Sequence, residues 1–215
     1  MIEQSLGKNY SRFVNVLIFI FPILINSVKV GGDIVLFILA VMGIFIAISK
    51  KLSPFNIKEI KVFSYLTAGY FIALCLAVLF SVKGIEQAHL LSRDLYFLFA
   101  PFIALAFYKA EINVSYLLAG VKVGLIVLAL ISFDQLQSGN TRPSGVMNAD
   151  VFGNLAVSMF FVVLVFFKDE SFKYKVFTLV SLLSGLFVIV ASGTRGAWLS
   201  LLLLFAGYLY FLFKQ

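Results

Sequence analysis

The sequence predicts an all-α fold, a polytopic transmembrane helical bundle of about eight helices with the N-terminus and the C-terminus both in the cytoplasm. Three observations predict it. Of the 215 residues, 62% are hydrophobic and 13% are charged, and the mean hydropathy is +1.06; soluble domains carry about 25% charged residues. The apolar residues form continuous runs, whereas membrane-barrel strands alternate. Helices are then the structures that satisfy their own backbone in lipid. Most lysines fall in short segments between the runs, where positive charge orients helices. The whole chain, 1–215, reads as a single transmembrane domain with no room for a soluble one.

The spans are expected at 13–28, 32–49, 62–82, 90–108, 112–133, 149–167, 176–192 and 197–213. The first follows Lys8 and Arg12 and has no small-x-small cleavage site after it, so it reads as a retained helix rather than a signal peptide. Pro22 interrupts it, as Pro101 interrupts the fourth. Asp33 follows Gly31-Gly32 and suits a helix N-terminus, where the dipole favours a carboxylate. The single cysteine, Cys75, lies inside the third span, has no internal disulfide partner and reads as packing. Lys122 lies in the cytoplasmic half of the fifth span and would snorkel inward. Asn148 or Asp150 would cap the sixth helix. Asn154 sits one turn inside it, extending a polar patch or pairing with a neighbouring helix.

With the N-terminus inside, eleven positive residues fall on the cytoplasmic side and five on the outer side, Lys29, Lys83, Arg93, Arg142 and Arg195. The net charge of +7 is thus a topology signal and does not point to nucleic acid. No metal-ligand spacing is present, and no metal or cofactor is expected. Three of the four arginines, Arg93, Arg142 and Arg195, fall outside, whereas the inner side uses lysine almost throughout. A guanidinium is a planar fork that grips phosphate oxygens through two parallel hydrogen bonds. Two readings follow: three separate snorkelling anchors, or one site for a phosphate-bearing lipid headgroup.

The longest outer segment, 134–150, is rich in Gly, Asn, Ser and Pro and should be irregular. Pro143 fixes the backbone after Arg142. A helix capped at Asn148 would turn its positive end toward an anion. Arg195 sits in Ser192-Gly193-Thr194-Arg195-Gly196-Ala197-Trp198, a tight turn between two apolar runs. Gly196, without a Cβ, would let a ligand approach the backbone. The segment 83–94 would form an interfacial helix with Arg93 and Asp94 on different faces. His89, the chain's one histidine, is there either a surface residue or a general base.

These residues resemble the O-antigen ligase family of bacterial inner-membrane proteins. The likeness rests on Arg142-Pro-Ser-Gly145-Val-Met-Asn148, followed later by Ser-Gly-Thr-Arg195-Gly196-Ala-Trp. Members often carry Ser-x-Ser-Arg-Gly between two helices; here Thr194 replaces the second serine. The resemblance implies a metal-independent glycosyl transfer on the periplasmic face. The donor would be a glycan on undecaprenyl pyrophosphate, and the acceptor lipid A–core oligosaccharide in the bilayer. Arg195 and Arg142 match the arginines that hold the pyrophosphate, and Arg93 matches less closely. Guanidinium groups would stabilise the charge that grows on the leaving pyrophosphate.

Family members also carry a large periplasmic loop with a catalytic histidine. These 215 residues have no counterpart, and His89 is no substitute by position. The chain therefore reads as the N-terminal part of such an enzyme, or a truncated product, inactive by itself, and no catalytic residue is assigned. An O-antigen polymerase or a protein O-oligosaccharyltransferase would share the donor and differ in acceptor. A transporter or flippase subunit would place charges near mid-membrane and break matched helices with Gly or Pro. A purely structural subunit would use its arginines only as anchors.

Overall fold

A computed structural model of the protein describes residues 2–80, 94–168 and 170–214. The described residues are all-helical, with eight α-helices: α1 (Ile2–Ser27), α2 (Gly31–Ser49), α3 (Lys58–Leu79), α4 (Tyr96–Lys109), α5 (Val114–Gln137), α6 (Ala149–Phe166), α7 (Phe172–Ser192) and α8 (Arg195–Lys214). Six of them are long and apolar enough to cross a membrane: α1 from Gly7, α2, α3, α5, α6 and α7. The chain is a multi-pass membrane protein.

The helices depart from the expected spans where polarity had suggested ends. Helix α1 begins at Ile2, well before the apolar run at 13, because residues 2–12 contain no proline and only one glycine. Pro22 and Pro101 lie inside α1 and α4 without ending them. The amide of Asn26 donates to the Pro22 carbonyl at 2.9 Å. Helix α4 has 14 described residues, about 21 Å at 1.5 Å per residue. That is short of a hydrocarbon core of about 30 Å. Asp33 lies in the first turn of α2, as expected.

Contacts divide the chain into two compact units, Met1–Val14 with Asp33–Ile112, and Asn15–Gly32 with Asn113–Gln215. In the first unit α3 packs on α4. Its buried residues include Val35, Leu39, Ala40, Leu105 and Ala106. A Cβ on Gly43 would stand 1.8 Å from the Phe102 carbonyl oxygen, so the α2 and α4 backbones touch there. The Tyr10 hydroxyl donates to the Ala106 carbonyl at 2.8 Å, and Ser11 Oγ accepts from the Glu111 amide at 3.0 Å. The outer face of α2 presents Ile34, Phe37, Val41, Phe45 and Ile48, each at least 49% exposed. That stripe, at helical spacing, is suited to lipid contact.

The second unit buries one apolar cluster built from α5, α6, α7 and α8, including Leu125, Leu128, Phe152, Ala156, Val188, Ile189 and Ala197. Glycines set the helix spacing. A Cβ on Gly120 would lie 2.2 Å from the Phe19 carbonyl oxygen, and one on Gly153 would lie 2.6 Å from Ser192 Oγ. Lipid offers no hydrophobic drive between helices, so close packing over small residues takes its place. Lys122 does not snorkel. It is 6% exposed and pairs with Glu170 Oε1, while Glu170 Oε2 accepts from the Thr178 hydroxyl. Helix α5 is packed on α6 and α7 here, and the α6–α7 connection brings a carboxylate to the ammonium.

The charge pattern makes a topological prediction. Reporters fused at Gly139 and Lys173, on either side of α6, should give opposite signals, outside at Gly139 and inside at Lys173. An outside signal at Lys173 would overturn the orientation.

Candidate functional site: an arginine cleft

The site is built from two connections of the second unit, α5–α6 and α7–α8. Helix α5 ends at Gln137, and the side chain of Gln135 folds the next segment back on itself. Its Oε1 accepts from the amides of Ser144 (2.9 Å) and Gly145 (3.0 Å), and its Nε2 donates to the Gly145 carbonyl at 3.0 Å. Gly145 has φ +59°, and a Cβ there would lie 2.5 Å from Phe152. Both the conformation and the space demand glycine. Asn148 then caps α6, its side-chain oxygen accepting from the Asp150 amide at 2.8 Å.

The other wall begins where α7 stops. Gly193 takes the left-handed conformation, φ 61° and ψ 19°, which ends helices with little strain only at glycine. Thr194 follows, 3% exposed; its hydroxyl donates to the Ala149 carbonyl at 3.0 Å and ties the start of α8 to the start of α6. Arg195 is the first residue of α8.

Arg142, Asp150, Asn154, Gly193, Thr194, Arg195 and Gly196 line one cleft of about 560 Å³. Arg142 reaches across it: Nε donates to the Ser192 carbonyl at 3.1 Å, and Nη2 pairs with Asp150 Oδ1 at 2.9 Å. The Arg142 and Asp150 side chains remain 51% and 63% exposed, so this pair is wet and open to competition. Arg195 is exposed, and among the described residues its guanidinium has no hydrogen bond or ion pair. Helices α6 and α8 both begin at the cleft, adding the positive ends of two helix dipoles to the two guanidinium groups. Against these stands one carboxylate, Asp150. The cleft is therefore suited to an anion with several oxygens. Among the described residues no three His, Cys, Asp or Glu side chains gather, so its polar groups are guanidinium, amide, hydroxyl and that carboxylate.

Of the residues singled out from sequence, Arg142, Arg195 and Gly196 come together at this cleft. Asn148 stands behind it as the cap of α6. Arg93 and His89 lie outside the described residues. A Cβ on Gly196 would meet Asn154 at 3.7 Å, an ordinary contact on the cleft side. Asn154 extends the polar patch. Sequence reasoning missed the latch at Gln135, the tie at Thr194 and the pairing of Asp150 with Arg142. The one available signal was the polar density of 134–150, ten of whose residues are Asp, Gln, Ser, Asn, Thr or Arg.

No family model matches the chain. Over an alignment of 222 residues that covers all of it, the chain is 26% identical to an uncharacterised protein of Haemophilus influenzae. It spans about half, 53%, of that protein's length.

Proposed function

We propose that the cleft binds the pyrophosphate of a lipid-linked glycan, undecaprenyl pyrophosphate being the carrier, and that the chain is the donor-binding part of a glycosyl transferase resembling O-antigen ligase. The transfer would deliver the glycan to lipid A–core oligosaccharide at the periplasmic face of a bacterial inner membrane. The observation that carries this reading is that Arg142 and Arg195, on two separate connections, line the same cleft at the starts of α6 and α8. Independent anchors have no reason to meet. A pyrophosphate ester presents several oxygens, enough to occupy both guanidinium forks and the amides at a helix start. As the glycosidic bond breaks, charge grows on those oxygens, and donors already in place stabilise it. The proton acceptor for the incoming hydroxyl would be the histidine that the family carries in its large loop. A polymerase or a protein O-oligosaccharyltransferase would use the same donor cleft with another acceptor.

The test is a titration of the detergent-solubilised protein with undecaprenyl pyrophosphate and, as control, undecaprenol. The pyrophosphate lipid should bind at least about tenfold more tightly, a difference of about 1.4 kcal/mol. Arg142→Gln with Arg195→Gln should abolish that preference. Equal binding of the two lipids by the unaltered protein would remove the pyrophosphate from the proposal.

A further inference from the structure

We propose that a second cavity in the same unit, around Lys122, binds the phosphate of an anionic glycerophospholipid from the adjoining leaflet. It lies between α5, α6 and α7, has a volume of about 550 Å³, and is lined by Leu118, Ala119, Phe166 and Phe177 as well as by Lys122 and Glu170. Lys122 lies toward the first turns of α5 and Glu170 follows the end of α6. Arg142 follows the end of α5, so the two sites occupy opposite ends of these helices.

Three observations point to a phosphate with apolar tails. First, Lys122 is more than nine-tenths buried yet lines the cavity, and its ammonium has three N–H donors. Among the described residues Glu170 is its one partner, and both oxygens of Glu170 are engaged, by Lys122 and by Thr178. That leaves the ammonium with donor capacity beyond Glu170, and a buried donor without an acceptor is costly. Second, α7 begins beside Glu170 at Ser171, whose side chain makes no capping hydrogen bond; the Tyr174 and Lys175 amides donate to the Ser171 carbonyl, which leaves those of Phe172 and Lys173 without a partner among the described residues. Third, the connection that carries Glu170 is basic: Lys168 and Lys173 are exposed and Lys175 is partly buried, against Glu170 and, in sequence, Asp169. The aromatic and aliphatic walls supply a seat for an acyl chain. Basic pockets between transmembrane helices bind anionic lipid headgroups. Glu170 both neutralises Lys122 while the cavity is empty and competes with the phosphate for it.

The test uses the full chain in a neutral detergent and follows its thermal unfolding midpoint. The probes are phosphatidylglycerol, phosphatidylcholine with the same acyl chains, and inorganic phosphate. A ligand that binds only the folded state raises the midpoint. Phosphatidylglycerol should raise it by several degrees, and phosphatidylcholine and inorganic phosphate should not. Glu170→Gln keeps Lys122 and removes its competitor, so the apparent affinity for phosphatidylglycerol should rise about tenfold. Lys122→Met with Glu170→Gln removes the pair together, which buried pairs tolerate, and should erase the preference. Lys168→Gln with Lys173→Gln leaves the interior untouched and should weaken it. The proposal is overturned if the Lys122→Met, Glu170→Gln protein still prefers phosphatidylglycerol as the unaltered protein does. It is equally overturned if the unaltered protein shows no preference, or if inorganic phosphate alone reproduces the shift, which would assign the site to a free ion.

Discussion

On the proposed function, Arg195→Lys in the complete enzyme is expected to cut glycan transfer roughly a hundredfold while the protein inserts and accumulates at its normal level. Lysine keeps the charge and snorkels as well as arginine, so a mere anchor would tolerate it. What lysine lacks is the planar fork. Removing one preorganised charge-assisted contact from a transition state costs about 3 kcal/mol, on the order of a hundredfold in rate. The fold should hardly register the change, because the Arg195 guanidinium has no partner among the described residues. Arg142→Lys should behave differently. It removes the Nε bond to the Ser192 carbonyl as well as the fork, so stability should fall together with activity. Glycan transfer in cells, normalised to protein level on an immunoblot, separates the two. Near-normal transfer by Arg195→Lys would take Arg195 out of the site.

A larger effect on the fold itself is expected at two helix contacts. Gly120→Ala would place a Cβ 2.2 Å from the Phe19 carbonyl, and Gly43→Ala one 1.8 Å from the Phe102 carbonyl. In each case the obstructing atom is backbone, which cannot swing aside as a side-chain tip can. Overpacking of this kind costs about 1–3 kcal/mol and at times more. For a chain of this length that lowers the unfolding midpoint by roughly 2–4 °C per kcal/mol. Gly69→Ala and Gly207→Ala are the matched controls. A Cβ at either site meets nothing within 4 Å. Alanine also favours helix by about 1 kcal/mol over glycine. Both controls should unfold at or above the original midpoint. If the Gly120 and Gly43 variants do so as well, the close helix contacts are not what spaces these helices.

The helices were legible in the sequence because lipid imposes a single rule on long apolar runs. Their ends were less so. Residues 2–12 are mostly polar, and the absence of proline lets α1 run through them. Pro22 was read as an interruption, but a proline removes a single i→i−4 bond, and α1 continues through it. The site was half legible. The arginines could be counted, sided and matched to a family pattern, but their meeting depends on how α6, α7 and α8 pack. Neither the Thr194 bond to Ala149 nor the Gln135 latch has a spacing signature. Lys122 shows the same gap. Snorkelling assumes a lysine without a partner, whereas Glu170, 48 residues on, reaches it from the α6–α7 connection. Lys122 toward the start of one helix and Glu170 just past the end of the next, two opposite charges at the same end of the pair, were the available clue.

The central claim is that a lipid pyrophosphate sits between Arg142 and Arg195. Asn154 lines that cleft, whereas Tyr174 lies at the other end of the same helices. A photo-crosslinking side chain placed at each position and irradiated with radiolabelled undecaprenyl pyrophosphate reads the claim directly. Label should attach at position 154 well above position 174, disappear with undecaprenol, and fall when inorganic pyrophosphate is added. Equal labelling at the two positions, or labelling at 154 that ignores the pyrophosphate, would contradict it.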